Sequence, residues 1–421
     1  MLFHVGKLHL HLECYLHNDN GHEMRQTILM SLAVSAALHA ADTEEKWLPG
    51  TLSKQFRVAY INQNNAIDQD TYATAFGAIV KYETPTWNNI SLGAAAYVSR
   101  KLNFATGSVA QGTANGDMFG REMDSYIYLG EAYVDYTTDV FSLRIGRQQI
   151  DTPLADTDDI RMHPNTFEAA IATYTPVDGT TIVGGYVRRW AGYDSGDDIS
   201  KFKRLDGAQS DGAFVAGIMN ESIENLALQG WYYGIDRLAN AVYADATYVI
   251  PFTETAELEL LGQFATFDEK NGSGIDGHVY GFGASLGLGM ATFGAAYNKS
   301  SNSEGQFVSN GFGGGPYVTS MEEMTIDGYQ DVRAYQLSAG LDFEKAGVEG
   351  ATLSVLYGDF KSTPAQMRVK EIDLIATYEL SEALNAEVSY AMVDDRNNNT
   401  SADGLYDGGY DRFLVRLTYR F

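Results

Sequence analysis

Apolar and polar side chains alternate one for one along most of the chain from residue 52 to the carboxyl terminus. This period of two places successive side chains on opposite faces of an extended strand. Turn residues divide the pattern into roughly eighteen segments, many near the length of about 9–11 residues that a tilted membrane-spanning strand needs. The predicted strands cover residues 52–61, 71–82, 90–101, 125–136, 140–148, 168–176, 180–190, 211–220, 225–235, 239–252, 256–267, 277–289, 291–299, 333–344, 350–361, 368–380, 384–394 and 411–421.

The last ten residues show the clearest alternation. One face carries Phe413, Val415, Leu417, Tyr419 and Phe421, and the other carries Arg412, Leu414, Arg416, Thr418 and Arg420. One face therefore meets hydrocarbon or a core, while the other meets water. A strand that ends in Tyr-x-Phe is typical of the closing strand of an outer-membrane β-barrel. The last strand of a soluble β-sandwich is the alternative for this stretch alone.

The lengths of the connections decide between these folds. Short connections follow even-numbered predicted strands, at residues 137–139, 177–179, 221–224, 253–255, 290 and 381–383. Long connections follow odd-numbered strands, at residues 102–124, 149–167, 191–210, 300–332 and 395–410. This sorting is typical of an outer-membrane barrel with short periplasmic turns, long extracellular loops and both termini in the periplasm. We therefore predict an all-β fold, a closed antiparallel transmembrane barrel of about 18 strands.

Composition agrees with a barrel and excludes membrane-spanning helices. The 421 residues include Gly 43, Tyr 27 and Phe 20 but only Pro 8. The mean hydropathy of −0.21 is compatible with a membrane protein only if lumen-facing and lipid-facing positions alternate. Beyond the N-terminal segment, no uncharged apolar run approaches the roughly 18 residues that a spanning helix needs.

Charge and cysteine content exclude several functions. The formal net charge of −26 argues against nucleic acid as a partner, because phosphates require a basic surface. The single cysteine, Cys14, precedes the predicted cleavage site. The mature chain then has no disulfide and no thiolate site for catalysis or zinc. We predict no cofactor.

The first forty residues are expected to lie outside the mature protein. Residues 1–23 contain five of the eight His residues, which invites a metal interpretation, but we interpret them as a misread upstream extension before the true start at Met24. Residues 24–40 have a basic start, a short apolar stretch and small residues, as a secretory signal does. The predicted mature chain, residues 41–421, is one barrel domain.

Residues 141–190 carry a family resemblance. They contain Gly146-Arg147-Gln148, Thr152-Pro153, Asp158-x-x-Arg161-x-x-Pro164 and Phe167-Glu168. In these motifs the sequence resembles the OprD-type outer-membrane porins, including the major porins of epsilonproteobacteria, and the pattern extends from Gly50 to Phe421. The connections at 62–70 and 236–238 are much shorter than in well-studied members, so a narrow substrate preference is not implied.

The resemblance implies that the loop at 149–167 folds into the barrel and narrows it. An eighteen-stranded barrel leaves a channel too wide to select solutes, so selection would fall to this loop and the wall that faces it. It also implies a row of luminal basic residues, which Arg57, Arg144 and Arg416 match, and a homotrimer. The alternative for any one of these arginines is a solvated lumen charge without a selective role.

The charged residues suggest the composition of such a constriction. The candidate constriction residues in the loop are Asp151, Asp156, Asp158, Asp159 and Arg161, and the candidate basic wall residues are Arg57, Arg144, Arg147, Arg412 and Arg416. An acidic loop facing a basic wall would create a transverse field that orients solutes and sets ion preference. The sequence leaves the sign of that preference open.

Other functions are weaker alternatives. The acidic runs 156–159 and 394–395 offer oxygen ligands for calcium, but neither has EF-hand spacing. A hydrolase would need a nucleophile beside a histidine, and only His163 and His278 remain after residue 40, so we predict that the protein is not an enzyme. A carboxylate or amino-acid channel of the same fold, and a surface adhesin or structural protein, remain alternatives.

The sequence therefore predicts a porin in the outer membrane of a Gram-negative bacterium, through which small hydrophilic solutes and ions diffuse passively. Its predicted partners are those solutes, outer-membrane lipid and lipopolysaccharide, further copies in a homotrimer, and the barrel-assembly machinery. The last of these would bind the C-terminal strand that ends at Phe421.

Overall fold

Nineteen strands and four short 3-10 helices make up the structure, a computed structural model that describes residues 49–196, 198–396 and 408–421. Among these residues no helix is both long and apolar enough to cross a membrane. The strands are β1 Thr51–Asn65, β2 Thr71–Glu83, β3 Ile90–Leu102, β4 Tyr126–Thr137, β5 Phe141–Gln148, β6 Thr166–Val177, β7 Thr180–Ala191, β8 Lys203–Arg204, β9 Ala213–Ile223, β10 Leu226–Ile235, β11 Ala239–Thr253, β12 Ala256–Glu269, β13 Gly277–Leu288, β14 Ala291–Ser301, β15 Val332–Asp342, β16 Ala351–Ser362, β17 Met367–Glu379, β18 Leu384–Asp395 and β19 Tyr410–Arg420. The helices are Val109–Gln111, Arg121–Met123, Tyr193–Ser195 and Glu344–Ala346.

Eighteen of these strands form one closed antiparallel barrel. Each long strand pairs with its neighbours in sequence, and β1 pairs with both β2 and β19. The closing ladder runs without interruption from Gln55 opposite Arg420 to Asn65 opposite Tyr410. The two-residue strand β8 pairs only with β7, inside a loop, so it adds nothing to the ring. The predicted fold class and strand number are confirmed.

The two faces of the barrel differ as the alternation predicted. On β15, Tyr335 and Leu337 are 54% and 58% exposed on the outside. On β19, Leu417 and Tyr419 are also exposed, as is Phe421 just beyond its end, whereas the intervening Thr418 is buried inside. Apolar side chains that would be costly in water thus form the outer surface, and polar ones turn inward.

All connections longer than eight residues lie at the same end of the barrel. At one end they run 84–89, 138–140, 178–179, 224–225, 254–255, 289–290, 343–350 and 380–383. At the other they run 66–70, 103–125, 149–165, 192–212, 236–238, 270–276, 302–331, 363–366 and 396–409. The predicted loop at 149–167 ends at 165, because Thr166 pairs with Ala191 and Phe167 with Trp190 in the β6–β7 ladder. The strand predicted at 168–176 therefore begins two residues earlier, at the polar residue Thr166.

The segments predicted at 1–23 and 24–40 lie outside the described residues.

Four of the long loops bury apolar side chains against the inner wall. From the β3–β4 loop, Met118 and Phe119 pack beside Ile61, together with Met162 of the β5–β6 loop. A larger cluster joins side chains of the β5–β6, β7–β9 and β14–β15 loops to the wall; these include Leu154, Leu205, Val308, Phe312 and Ile326. Burying each large side chain stabilises the packed arrangement by roughly 1.5–3 kcal/mol, so the loops are held by cores of their own.

An arginine placed on the outer surface tests the assignment of the two faces. Leu337→Arg, at the middle of β15, is expected to lower the free energy of unfolding by about 2–4 kcal/mol, because a charge would enter the hydrocarbon. Phe252→Arg is the matched control, since Phe252 is equally exposed but lies near the end of β11. A charge near the membrane interface should lower the free energy of unfolding by only about 0–1 kcal/mol. Urea unfolding in lipid vesicles measures both. Equal costs at the two positions would contradict the assignment.

Candidate functional site

Arg57 of β1 binds the β5–β6 loop from inside the barrel. Its Nη1 and Nη2 atoms lie 2.6 and 2.8 Å from the two carboxylate oxygens of Asp159, and Nη1 also donates to the carbonyl oxygen of Arg161 at 2.8 Å. Its Nε donates to the Thr418 hydroxyl on β19 at 3.1 Å. This two-pronged geometry is the strong form of a guanidinium–carboxylate contact. Arg57, at 4% exposed, therefore ties the loop to the wall.

Arg416 of β19 holds the same loop residue through its backbone. Its Nη1 donates to the carbonyl oxygen of Asp159, and its Nη2 lies 2.5 Å from the carboxylate of Glu387 on β18. Two of the predicted wall arginines and one predicted loop aspartate are thus brought together. The basic wall and the acidic loop meet here in direct contact, with no gap between Arg57 and Asp159.

A second cluster joins three loops to the wall. Arg412 of β19 lies 2.8 Å from Glu323 of the β14–β15 loop and 3.3 Å from Asp117 of the β3–β4 loop. Arg161 of the β5–β6 loop lies 3.7 Å from each of these acids. The side chains of Arg161, Arg412 and Glu323 are at most 8% exposed. Asp117 is 22% exposed. Two positive and two negative charges therefore neutralise each other, three of them almost out of contact with bulk water.

A fourth loop reaches this cluster through an aromatic ring. The Arg161 guanidinium lies 4.5 Å from the ring centroid of Tyr193 in the β7–β9 loop. Burial by itself would lower the pKa of Arg161, but the neighbouring Tyr193, Glu323 and Asp117 raise it above the ordinary value. Arg161 is therefore charged at every physiological pH. We call Arg161, Arg412, Asp117, Glu323 and Tyr193 the central cluster.

The other predicted loop aspartates bind hydrogen-bond donors or a second acid. Asp151 accepts the backbone N–H and the hydroxyl of Thr157 at 3.1 and 2.7 Å. Asp156 accepts the backbone N–H groups of Gly314 and Gly315, both at 3.2 Å. No basic side chain pairs with either aspartate among the described residues.

Asp158 faces Asp194 of the β7–β9 loop instead of a base. Burial raises the pKa of Asp158, and the charge of Asp194 and a hydrogen bond between the two carboxyl groups raise it further. Burial also raises the pKa of Asp194, while Asn165 and Asp158 donate hydrogen bonds that act against the rise. Two partly buried carboxyl groups that interact in this way favour holding one proton between them.

The β14–β15 loop, predicted from the sequence only as a long connection, is a second loop bonded to the inner wall. The Gln263 amide donates to the carbonyl oxygen of Pro316 at 2.8 Å and accepts the N–H of Val318 at 3.0 Å. The carboxylate of Glu371 accepts the N–H groups of Glu323 and Met324, both at 2.9 Å. Wall side chains thus satisfy backbone groups that would otherwise be buried without partners.

Glycines allow the two inserted loops to touch. The backbone N–H of Phe312 donates to the carbonyl oxygen of Leu154 at 3.0 Å, and the carbonyl oxygen of Phe312 accepts the N–H of Asp156 at 3.2 Å. Ala155 forms an isolated bridge with Phe312. At Gly311, which has a φ of +85°, a Cβ atom would lie 2.3 Å from the carbonyl oxygen of Leu154. No other residue fits so close an approach in that conformation. The run Gly311-Phe312-Gly313-Gly314-Gly315 was the sequence signal for this contact.

Arg144 and Arg147 of β5 take no part in these clusters. Arg144 lies 3.3 Å from Asp135 on β4, and Arg147 lies 3.1 Å from Glu168 on β6. Both side chains are 34% exposed. Side chains three positions apart on a regular strand point to opposite faces of the sheet. Under strict alternation, Arg144 and Arg147 therefore cannot both face the lumen. The assignment of Arg147 to the pore wall therefore stays a prediction.

His163 is part of an aromatic cluster. Its Nε2 is hydrogen-bonded to the Tyr126 hydroxyl, and its ring also contacts Tyr97 and Tyr128. Burial lowers the pKa of His163 to about 4, so the ring is neutral at pH 7. Within residues 49–196, 198–396 and 408–421, no group of three or more His, Cys, Asp or Glu side chains is arranged to hold a metal ion.

Comparison with known proteins identifies the fold and the family. A sequence model of the OprD family of outer-membrane porins matches residues 49–419, from just before β1 to the next-to-last residue of β19. The chain belongs to the OprD family. Comparison with curated proteins finds no significant match. The family and the fold are those of outer-membrane transport channels, which include substrate-specific ones.

Solved OprD-family structures share the fold at low sequence identity. The chain is similar to OccK9 (OpdG) of Pseudomonas aeruginosa, with a TM-score of 0.74 and 17% identity, and to a BenF-like porin of Pseudomonas fluorescens Pf-5, with a TM-score of 0.75 and 15% identity. It is also similar to Pseudomonas aeruginosa OpdK in a structure with vanillate, with a TM-score of 0.71 and 20% identity. Each comparison covers 88% of this chain and 98% of the other.

Glu323→Gln tests the central cluster of this porin. Removing the acid leaves Asp117 as the one acidic partner that Arg412 and Arg161 share. The free energy of unfolding should fall by about 3–5 kcal/mol, because a buried charge loses its partner. Hydrogen exchange of the amides at residues 322–324 should become faster by at least tenfold. Glu122→Gln is the control, since Glu122 is 80% exposed and its contact with Arg121 should contribute under about 1 kcal/mol. Unchanged exchange in the Glu323 variant would contradict the cluster's role.

Proposed function

We propose that this OprD-family porin lets small hydrophilic solutes and ions diffuse passively through a water-filled pore narrowed by the β5–β6 loop, with the β14–β15 loop as a second constricting element. The contact of Asp159 with Arg57 and Arg416 is the observation that carries this proposal. A loop bound to inward-facing side chains reduces the open cross-section of an eighteen-stranded barrel. The proposed constriction residues are Asp151, Asp156, Asp158, Asp159 and Arg161, with Arg57, Arg412 and Arg416 on the wall.

Solutes would reach the constriction through a wider, wetter half of the lumen. Toward the end with short connections, Glu257 and Glu259 of β12 are exposed, and Arg144 is one-third exposed. The deeply buried arginines lie instead at the level where the loops meet. The pore is therefore proposed to be wide at the short-turn end and narrow at the loops.

Charge pairing favours cations in this pore. Arg57 faces Asp159, Arg416 faces Glu387, and Arg412 faces Glu323. Among the described residues, Asp151 and Asp156 have no such basic partner. Paired charges cancel over distances beyond a few ångströms, so the remaining field along the pore is negative. We propose a weak cation preference.

The placement and assembly of the porin are also proposals. The even strand number and the long loops at one end support short turns and both termini in the periplasm. Exposed Tyr419 and Phe421 at the end of β19 support recognition by the barrel-assembly machinery. The exposed apolar outer face supports contact with outer-membrane lipid and lipopolysaccharide, and with two further copies in a homotrimer.

Reconstitution in a planar lipid bilayer tests the proposed function. Stepwise openings in groups of three are expected, with a cation-leaning reversal potential in a salt gradient. Asp156→Asn should reduce the cation-over-anion permeability ratio by up to about fivefold, because a unit charge at contact distance contributes about 1 kcal/mol in water. Asp211→Asn, at an 87% exposed position, is the control and should change it little.

Other outcomes of that recording contradict parts of the proposal. An anion-leaning potential would keep the porin but assign selectivity to the arginine wall. Single openings would contradict the trimer. Correctly folded protein without channels would overturn passive diffusion and favour a role as an adhesin or structural protein.

A further inference from the structure

Four exposed basic side chains form a row on the outer surface of the barrel, at the end that bears the long loops. The row crosses β14, β15, β16 and β17 and consists of Lys299, Arg333, Lys361 and Arg368. The strand register places each of them directly opposite the next. The residues on either side of each are buried, which fixes the row on the outer face: Asn298 and Ser300, Val332 and Ala334, Phe360 and Ser362, and Met367 and Val369. We call these four residues the basic row.

The basic row is unfavourable without an anion. Directly opposed side chains have Cβ atoms about 4.5–5.5 Å apart, and like charges at such positions repel each other. Arg368 has an acid close by, because its Nη2 lies 3.5 Å from the carboxylate of Asp359. Lys370 also approaches that carboxylate, at 3.8 Å. Among the described residues, no ion pair joins the other three members of the row to an acid. The row therefore keeps a net positive charge, although the whole chain has a formal charge of −26.

An apolar groove of about 730 Å³ lies beside the row on the same outer face. Tyr335, two residues along β15 from Arg333, lines the part of the groove nearest to the row. Farther along, the register aligns two alanines between two leucines, in the order Leu260, Ala284, Ala295 and Leu337. The small side chains form the floor and the large ones the sides, so an alkyl chain could lie close to the backbone. Charge and groove together match an amphiphile with an anionic head group.

We infer that the basic row and this groove bind lipopolysaccharide, with the phosphates of its lipid A part on the row and an acyl chain in the groove. Neighbouring strands lie about 4.8 Å apart, so the four cations span roughly 14 Å. One phosphate would reach neighbouring cations at a single point of such a row, whereas the two phosphates of lipid A would use its length. Guanidinium groups bind phosphate oxygens through paired hydrogen bonds, and lysines add point charges.

The inference deepens the proposed contact with lipopolysaccharide and rests on the proposed placement of the long loops outside the cell. That placement puts the row level with the head groups of the outer leaflet. Binding in detergent depends neither on this orientation nor on an open pore, so it can be measured separately from channel function.

Native mass spectrometry of the full-length, detergent-solubilised protein tests the inference. The probe is diphosphorylated lipid A, compared with dephosphorylated lipid A and with phosphatidylglycerol, which has one phosphate. We expect the probe to bind at least about tenfold more tightly than either, because each basic residue near an anionic head group contributes about fivefold in affinity. An excess of inorganic phosphate should not displace the probe, since it has no acyl chain to fill the groove.

Two sets of variants separate the row from the groove. Arg333→Gln combined with Lys361→Gln removes the two central charges and should weaken lipid A binding by roughly twentyfold. Ala295→Phe fills the floor of the groove and should weaken binding several-fold without changing the row. Arg100→Gln combined with Arg188→Gln is the matched control, since both residues are exposed on distant strands, β3 and β7. This control should change affinity by less than about twofold, because charges farther away than a Debye length are screened.

Several results would overturn the inference. These are equal binding of dephosphorylated lipid A or phosphatidylglycerol, unchanged affinity in the variant that lacks both central charges, and displacement of the probe by inorganic phosphate. If Ala295→Phe changes the number of chains per assembly but not lipid A binding, the groove belongs to a second copy of the chain and the inference is wrong. Conductance of the same preparations is recorded in parallel. Channels without lipid A binding contradict this inference alone, and lipid A binding without channels contradicts the proposed pore alone.

Discussion

Charge neutralisation inside the barrel is the constraint on which the rest of the structure depends. A guanidinium removed from water costs several kcal/mol unless a carboxylate and further hydrogen bonds replace its hydration. Arg57 meets this requirement with Asp159, the carbonyl oxygen of Arg161 and the hydroxyl of Thr418. Arg412 meets it with Glu323 and Asp117. Because these acids belong to three different loops, satisfying two wall arginines fixes the path of all three loops across the lumen.

Apolar packing and charge pairing act together on these loops. The glycine run beside Phe312 lets the β5–β6 and β14–β15 loops meet, and Phe312 packs edge-on against Trp190 of the wall at 5.3 Å between ring centroids. The buried clusters therefore favour one arrangement of the loops, and the ion pairs set its position on the wall. A lumen narrowed in this way would be a fixed constriction, whose remaining charge comes from the aspartates that no arginine neutralises.

The sequence predicted the barrel better than it predicted the site, for a physical reason. A strand between lipid and lumen must alternate along its whole length, so β15 and β19 reveal their faces residue by residue. Alternation also nominated Arg57, Arg412 and Arg416 as inward. Their partners could not be found that way, because Arg57 and Asp159 are 102 positions apart and an irregular loop has no period. The same lack of period hid the roles of Glu323 and Asp117 and the contact of the β14–β15 loop with the wall. Arg147 binds Glu168 on the neighbouring strand.

The single-channel conductance of a charge-swapped pair tests most directly whether the Arg57–Asp159 ion pair holds the β5–β6 loop in the lumen. Arg57→Glu alone would place two acids together, so the β5–β6 loop should detach and the channel should become wider and noisier. Combining Arg57→Glu with Asp159→Arg restores opposite charges, and conductance should return toward that of the wild-type channel. If Arg57→Glu leaves conductance and noise unchanged, the ion pair does not hold a constricting loop and the central claim is wrong.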